Sequence, residues 1–126
     1  MNLDRVRREV ADAQRTFAAV ECYPTETGGL SVLTALQTTQ GNVYTLAIAF
    51  PEAYPNTMPT VHVRRPALRS NSPHRYNSGN ICYLHPTMWN PGLHNLTFVI
   101  ARTAKWLNKY DLWVRNGRWP GAEILH

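Results

Sequence analysis

Between Glu52 and Asp111 the chain carries no aspartate and no glutamate. That gap excludes a paired-carboxylate mechanism built from this segment, so a local proton acceptor must be a histidine or a group brought from elsewhere. Cysteine is as scarce: Cys22 and Cys82 are the only 2 in 126 residues. Two cysteines so far apart make no disulfide framework, and point to a reducing, cytoplasmic setting. No apolar run is long enough to cross a bilayer, which argues against a membrane partner. The opening Met1-Asn2-Leu3-Asp4-Arg5 mixes acid and base where a signal peptide needs a basic and then an apolar stretch. Repeats and low-complexity segments are missing as well. The formal net charge of +5 admits a nucleic-acid partner, but no nucleic-acid motif accompanies it. The bases are scattered apart from Arg64, Arg65, Arg69 and Arg75, and a basic surface fits an acidic protein partner equally well.

What is present suits one α+β domain over residues 1–126, with 44% apolar residues for a core. Apolar positions at Leu3, Val6, Val10, Ala13 and Phe17 predict an amphipathic helix from Asn2 to about Ala19, with Asn2 as N-cap and Asp4 in the first turn. Cys22-Tyr23-Pro24 ends it, and Gly28-Gly29 makes a turn. A strand follows over Leu30 to Leu36, then a polar hairpin loop around Gly41. Val43 to Phe50 alternates most cleanly, with Tyr44, Leu46, Ile48 and Phe50 on one face. Pro51, Pro55 and Pro59 stiffen the next connection, and Thr60 to Arg64 resumes as a strand with Val61 and Val63 inward. These three strands form an antiparallel meander. Residues 66–82 hold no regular element, and a loop of that length in a small domain is commonly functional. Asn95 then caps a long helix from Leu96 to about Asn116, closed by Gly117. Its apolar stripes, Leu96, Val99, Thr103, Trp106, Tyr110, Trp113 and Ile100, Leu107, Val114, should pack on the meander.

The chemistry concentrates in His74-Arg75-Tyr76-Asn77-Ser78-Gly79-Asn80-Ile81-Cys82-Tyr83-Leu84-His85-Pro86. Cys82 stands behind a glycine turn and between two histidines. Imidazole can take a thiol proton or stabilise a thiolate, so Cys82 is a candidate nucleophile; a buried, inert cysteine is the alternative. His85 is a candidate base, His74 a structural histidine or support, and Asn77, Asn80 and the amides around Gly79 candidate donors to an oxyanion. Cys22 has no such neighbours and reads as structural or incidental. A metal site of His74, Cys82 and His85 lacks a second cysteine pair and makes poor zinc grammar, so neither metal nor cofactor is expected.

Three motifs in order carry a resemblance to the ubiquitin-conjugating enzyme family: Phe50-Pro51-x-x-Tyr54-Pro55-x-x-x-Pro59-x-Val61, then Gly79-x-Ile81-Cys82, then Trp89-Asn90-Pro91 followed by Leu96. The resemblance covers roughly Leu3 to Gly117. It implies that fold, with Cys82 as the thiol that carries an acyl group in thioester linkage. The family's histidine-proline-asparagine triplet is not intact. His74-Arg75-Tyr76 stands near its place, and Tyr76, Asn77 or Asn80 substitutes for the oxyanion asparagine. The family's two C-terminal helices are absent too. Instead Trp113, Gly117-x-Trp119-Pro120-Gly121-x-Glu123, His74-x-Tyr76 and His85-Pro86 resemble bacterial relatives found in CBASS antiphage operons. Those relatives act beside a cGAS-like nucleotidyltransferase. The resemblance therefore implies that partner, or another protein with a C-terminal glycine, together with an acceptor protein or amine. A non-catalytic binding module of the same fold is the competing reading.

Overall fold

A computed structural model describes residues 1–121; Glu123 of the tail motif and His126 lie outside the described residues. Helix α1 spans Leu3–Thr16, with the Asn2 side chain accepting the Arg5 N–H and Asp4 in the first turn. It buries Val6, Val10 and Ala13, as its periodicity predicts, and also Glu9. The helix stops at Thr16 rather than near Ala19. The chain turns extended at Phe17 and makes a strand where none is predicted: β1, Val20–Pro24, paired antiparallel with β2, Leu30–Gln37. The correction has a physical cause. Only Val20 of β1 is buried, so the strand has no alternation of its own to read. It exists because β2 offers it a ladder from Val20↔Thr34 to Pro24↔Leu30, and because it is an edge, where a terminal proline is tolerated.

The β3 strand, Val43–Phe50, and β4, Thr60–Arg65, complete a four-stranded antiparallel sheet in the order β1-β2-β3-β4. Tyr44, Leu46, Ile48 and Phe50 are all buried, with Val61 and Val63 beside them, so the predicted inward faces hold. Helix α2, Leu96–Asn116, has the predicted caps: the Asn95 side chain accepts the Phe98 N–H, and Gly117 takes φ 75°, a left-handed conformation that suits glycine at a helix end. Among the described residues no helix is long and apolar enough to cross a membrane.

Two buried carboxylates fix α2 at its two ends. Near its start, Glu9 accepts the Leu96 N–H at 2.7 Å, the Tyr54 hydroxyl and the Arg5 Nε–H. Near its end, Asp111 accepts the Tyr44 and Thr38 hydroxyls and the Asn42 amide, which ties the helix to the β2–β3 hairpin. Tyr44 and Tyr110 also meet edge to face at 6.2 Å. Trp106 is buried in the same core cluster as the inward residues of the sheet. It stacks on Tyr110 and lies tilted against Trp119 at 5.2 Å, and its indole N–H reaches the His74 carbonyl at 3.2 Å, beneath the cysteine loop. Trp113 and Val114 are only half-buried.

Candidate active site

The segment that reads as irregular closes on itself as a small hairpin. Arg75 and Ile81 form an antiparallel bridge, the Tyr76 N–H donates to the Asn80 carbonyl at 2.9 Å, and the Cys82 N–H donates to the His74 carbonyl at 2.8 Å. Its tip is a turn in which the Gly79 N–H donates to the Tyr76 carbonyl at 2.9 Å. Gly79 sits at φ +93°, a conformation that side chains with a Cβ rarely adopt, so glycine is required there. His74 also has positive φ, 57°, which is uncommon outside glycine. Its carbonyl is held by both Cys82 and Trp106, and its ring lies 4.9 Å from that of Trp119. His74 thus holds the cysteine backbone through its carbonyl.

The residues on either side of the thiol are anchored to the proline-rich turn. The Ile81 N–H donates to the Val61 carbonyl at 3.0 Å, and the Tyr83 hydroxyl to the Pro59 carbonyl at 2.6 Å. Ile81 and Tyr83 are buried, whereas Cys82 between them is partly exposed. From α2, the Arg102 Nε–H reaches the Tyr83 carbonyl at 3.1 Å. The third motif joins the same cluster: the Trp89 indole N–H donates to the Pro55 carbonyl at 2.8 Å, and its ring faces Tyr54. Three segments that are separate in sequence therefore make one frame, and the frame presents a thiol.

Around the sulfur, the S–H reaches the Leu84 carbonyl at 3.7 Å. Partial burial, then the nearby Cys82, push the Tyr76 phenol above its ordinary range, so near neutrality it stays protonated. Asn77 lies exposed at the turn tip and Asn80 is half-exposed. The Gly79 amide, one of the predicted oxyanion donors, is already committed to the turn. His85 caps a short 3₁₀ turn, Pro86–Met88, with Nδ1 accepting the Thr87 N–H at 3.3 Å and lying 2.7 Å from the Thr87 hydroxyl. That uses the lone pair a general base needs and leaves the proton on Nε2. A base role for His85 asks for another rotamer; a donor role does not.

Arg102, Lys105 and Lys109 lie beside Tyr83 and Trp106 on one side of this frame. On α2, burial, then Lys105 and Arg102, hold the Lys109 ammonium below its ordinary range. Among the described residues no group of three or more His, Cys, Asp or Glu is placed to hold a metal. Cys22 is exposed on β1, on the strand at the opposite edge of the sheet from β4, whose Val61 anchors the cysteine loop.

Residues 9–126 match the family described as the type II CBASS E2 protein. The chain belongs to that family. The match spans both buried carboxylates, the proline-rich turn and the whole Cys82 hairpin. A comparison with curated protein sequences yields no match. Membership makes the chain an E2-like component of CBASS, a bacterial antiviral system, and gives it a conjugation-related role there.

Two residues of this frame escape a sequence reading. Glu9 carries a signal in hindsight: it lies three residues from Val6 on the apolar stripe of α1, and a charge on a buried face needs buried partners. Arg75 reads from sequence as one of a basic cluster. Nothing local announces that its partners are carbonyls.

Proposed function

We propose that this CBASS E2-like protein carries an acyl group on Cys82. The Cys82 sulfur attacks the carbonyl carbon of an activated C-terminal glycine on a protein partner. The S–C bond forms, the bond to the leaving group breaks, and the thiol proton passes to solvent. An amine then attacks the thioester carbonyl, an amide forms, and the thiol is regenerated. The thiolate is the reactive form, and it is also a good leaving group, so the intermediate stays reactive. The partner is a cGAS-like nucleotidyltransferase of the same system, and the acceptor an amine on another protein.

The observation that carries this reading is the partly exposed thiol between two buried, anchored neighbours. Both tetrahedral intermediates place an oxyanion beside that sulfur, where a preorganised donor counts most. Tyr76 stands at the third place of the altered histidine-proline-asparagine triplet and is our choice for that donor. Asn77, Asn80 and the His85 Nε2–H are secondary donors. His74 supports the loop through its carbonyl.

Coexpression with the nucleotidyltransferase encoded beside it tests the reading. A covalent adduct should appear on a non-reducing gel, be cleaved by thiol reductant, and have an intact mass one water below the summed partners. Cys82→Ala should abolish it, and Cys82→Ser should trap an ester that reductant does not cleave. A mass lower by two hydrogens identifies a disulfide and ends the acyl-transfer reading. No Cys82-dependent adduct with any neighbouring gene product leaves the protein a binding module.

A further inference from the structure

The chain that leaves α2 turns back onto the cysteine loop. Gly117 takes a left-handed conformation at the helix end, and from Arg115 to Gly121 only Trp119 is buried. Its ring lies 4.9 Å from that of His74 and 5.2 Å from that of Trp106. Those two residues meet at one oxygen. The His74 carbonyl accepts the Cys82 N–H at 2.8 Å and the Trp106 indole N–H at 3.2 Å. His74 holds this carbonyl in place at φ 57°, a conformation that persists where the surroundings enforce it. The Trp119 indole N–H is itself buried and has no acceptor among the described residues. A buried tryptophan ordinarily finds one, so packing, and not a hydrogen bond, accounts for where this ring sits.

We infer that Trp119 is a positioning residue: its ring wedges against His74 and Trp106 and so fixes the carbonyl that holds the Cys82 backbone. The inference rests on the Cys82 reading, and it deepens it by tying the segment beyond α2 to the thiol. Trp119 acts through His74 and Trp106, not on the reacting atoms. Without the wedge, the His74 ring loses a packing partner, its backbone relaxes from positive φ, and the Cys82 N–H loses its acceptor. The neighbouring tie, from the Ile81 N–H to the Val61 carbonyl, still holds the loop on β4. The thiol is therefore displaced and further exposed while the domain stays folded. A displacement of about 1 Å at a reacting atom costs on the order of a hundredfold in rate.

Two rates that should move in opposite directions test this. Alkylation of Cys82 by iodoacetamide, followed by intact mass in a Cys22→Ser background, needs no protein partner. Trp119→Ala should speed it at least about threefold, because a released backbone exposes the sulfur. Adduct formation with the nucleotidyltransferase should instead slow about tenfold at saturating partner, with the half-saturating concentration within about twofold of the parent. A merely structural tryptophan moves neither rate in folded protein. Trp119→Leu serves if Trp119→Ala does not fold. Trp119→Phe keeps the packing and should restore both rates; a Phe variant as impaired as the alanine one overturns the wedge. Trp106→Phe removes the N–H from the same carbonyl and should also speed alkylation, and joined to Trp119→Ala it should add little. Effects that multiply in the double variant overturn the inference, as does unchanged or slower alkylation in folded Trp119→Ala or Trp119→Leu. Absence of any adduct from the parent protein, with the alkylation coupling intact, sinks the thioester reading and leaves the wedge standing.

Discussion

Replacing Glu9 by alanine should cost the domain about 4 kcal/mol. The figure follows from what the carboxylate holds. Glu9 is 7% exposed and accepts from two buried groups on distant segments, the Tyr54 hydroxyl and the Leu96 N–H. Removing it strands both donors, at about 1–3 kcal/mol each. Breaking a buried ion pair by deleting one member costs about 3–5 kcal/mol, but the Arg5 side chain is 23% exposed, so water takes up part of that loss. The two costs overlap and do not add. Glu9→Gln retains one acceptor oxygen but turns an amide N–H₂ toward other donors, and should lose about half as much. With a urea slope of about 2 kcal/mol/M, ordinary for a small domain, Glu9→Ala should lower the unfolding midpoint by roughly 2 M and Glu9→Gln by roughly 1 M. Circular dichroism and tryptophan fluorescence should give coincident transitions. A Glu9→Ala midpoint within about 0.3 M of the parent, at unchanged slope, refutes the hub, because no stranded donor costs so little.

Trp106→Ala should cost about 3–5 kcal/mol as a large-to-small change in the core, and an unchanged denaturation midpoint would show that the ring faces solvent instead. Cys22→Ser should leave adduct formation intact, because Cys22 lies across the sheet from the thiol frame; loss of the adduct in a folded Cys22→Ser protein assigns β1 a role in the chemistry. Stability should be level to about pH 10 and then fall. Burial, then the hydrogen bond to Asp111 and its charge, raises the Tyr44 phenol; burial, then Glu9, raises Tyr54; and burial foremost raises Tyr83. A phenol whose pKa is raised by folding adds stability that is full below its unfolded value and is lost as pH climbs through the folded one. Thermal midpoints measured from pH 8 to 11 should show the fall, and Tyr83→Phe should flatten it; an equal slope in both proteins removes Tyr83 from the account.

The elements readable from sequence are those whose burial shows in their own periodicity. The β3 strand and α2 lie within a residue of the bounds that alternation and caps predict, because each has one face turned wholly inward and punctuation at its ends: Pro51 after β3, and Asn95 and Gly117 around α2. The β1 strand is illegible because its partner supplies its stability, and helical spacing gives the buried face of Trp106 but not its indole bond to the His74 carbonyl. In the loop, the residue types around Cys82 single out a stretch of chain that the structure folds into a hairpin. The hairpin that organises them did not show, since its closure depends on Arg75 bonding to main-chain carbonyls of Gly79 and Arg69, and any residue could have supplied those.

The missing acids and the shape of the site have one explanation. Elsewhere in this fold buried donors are met by carboxylates, Glu9 at one end of α2 and Asp111 at the other. Both stand outside the acid-free segment, Glu9 well before it and Asp111 directly after Tyr110. Within the segment, the same work of satisfying guanidinium and indole donors falls to main-chain carbonyls: Gly79 and Arg69 for Arg75, Tyr83 for Arg102, His74 for Trp106. A carbonyl orients a cation without neutralising it. The thiol therefore sits in a frame whose guanidiniums are oriented by carbonyls and keep their positive charge, which favours a thiolate or an oxyanion. A carboxylate in place of any of these carbonyls would hold the loop as well and oppose the chemistry proposed for it.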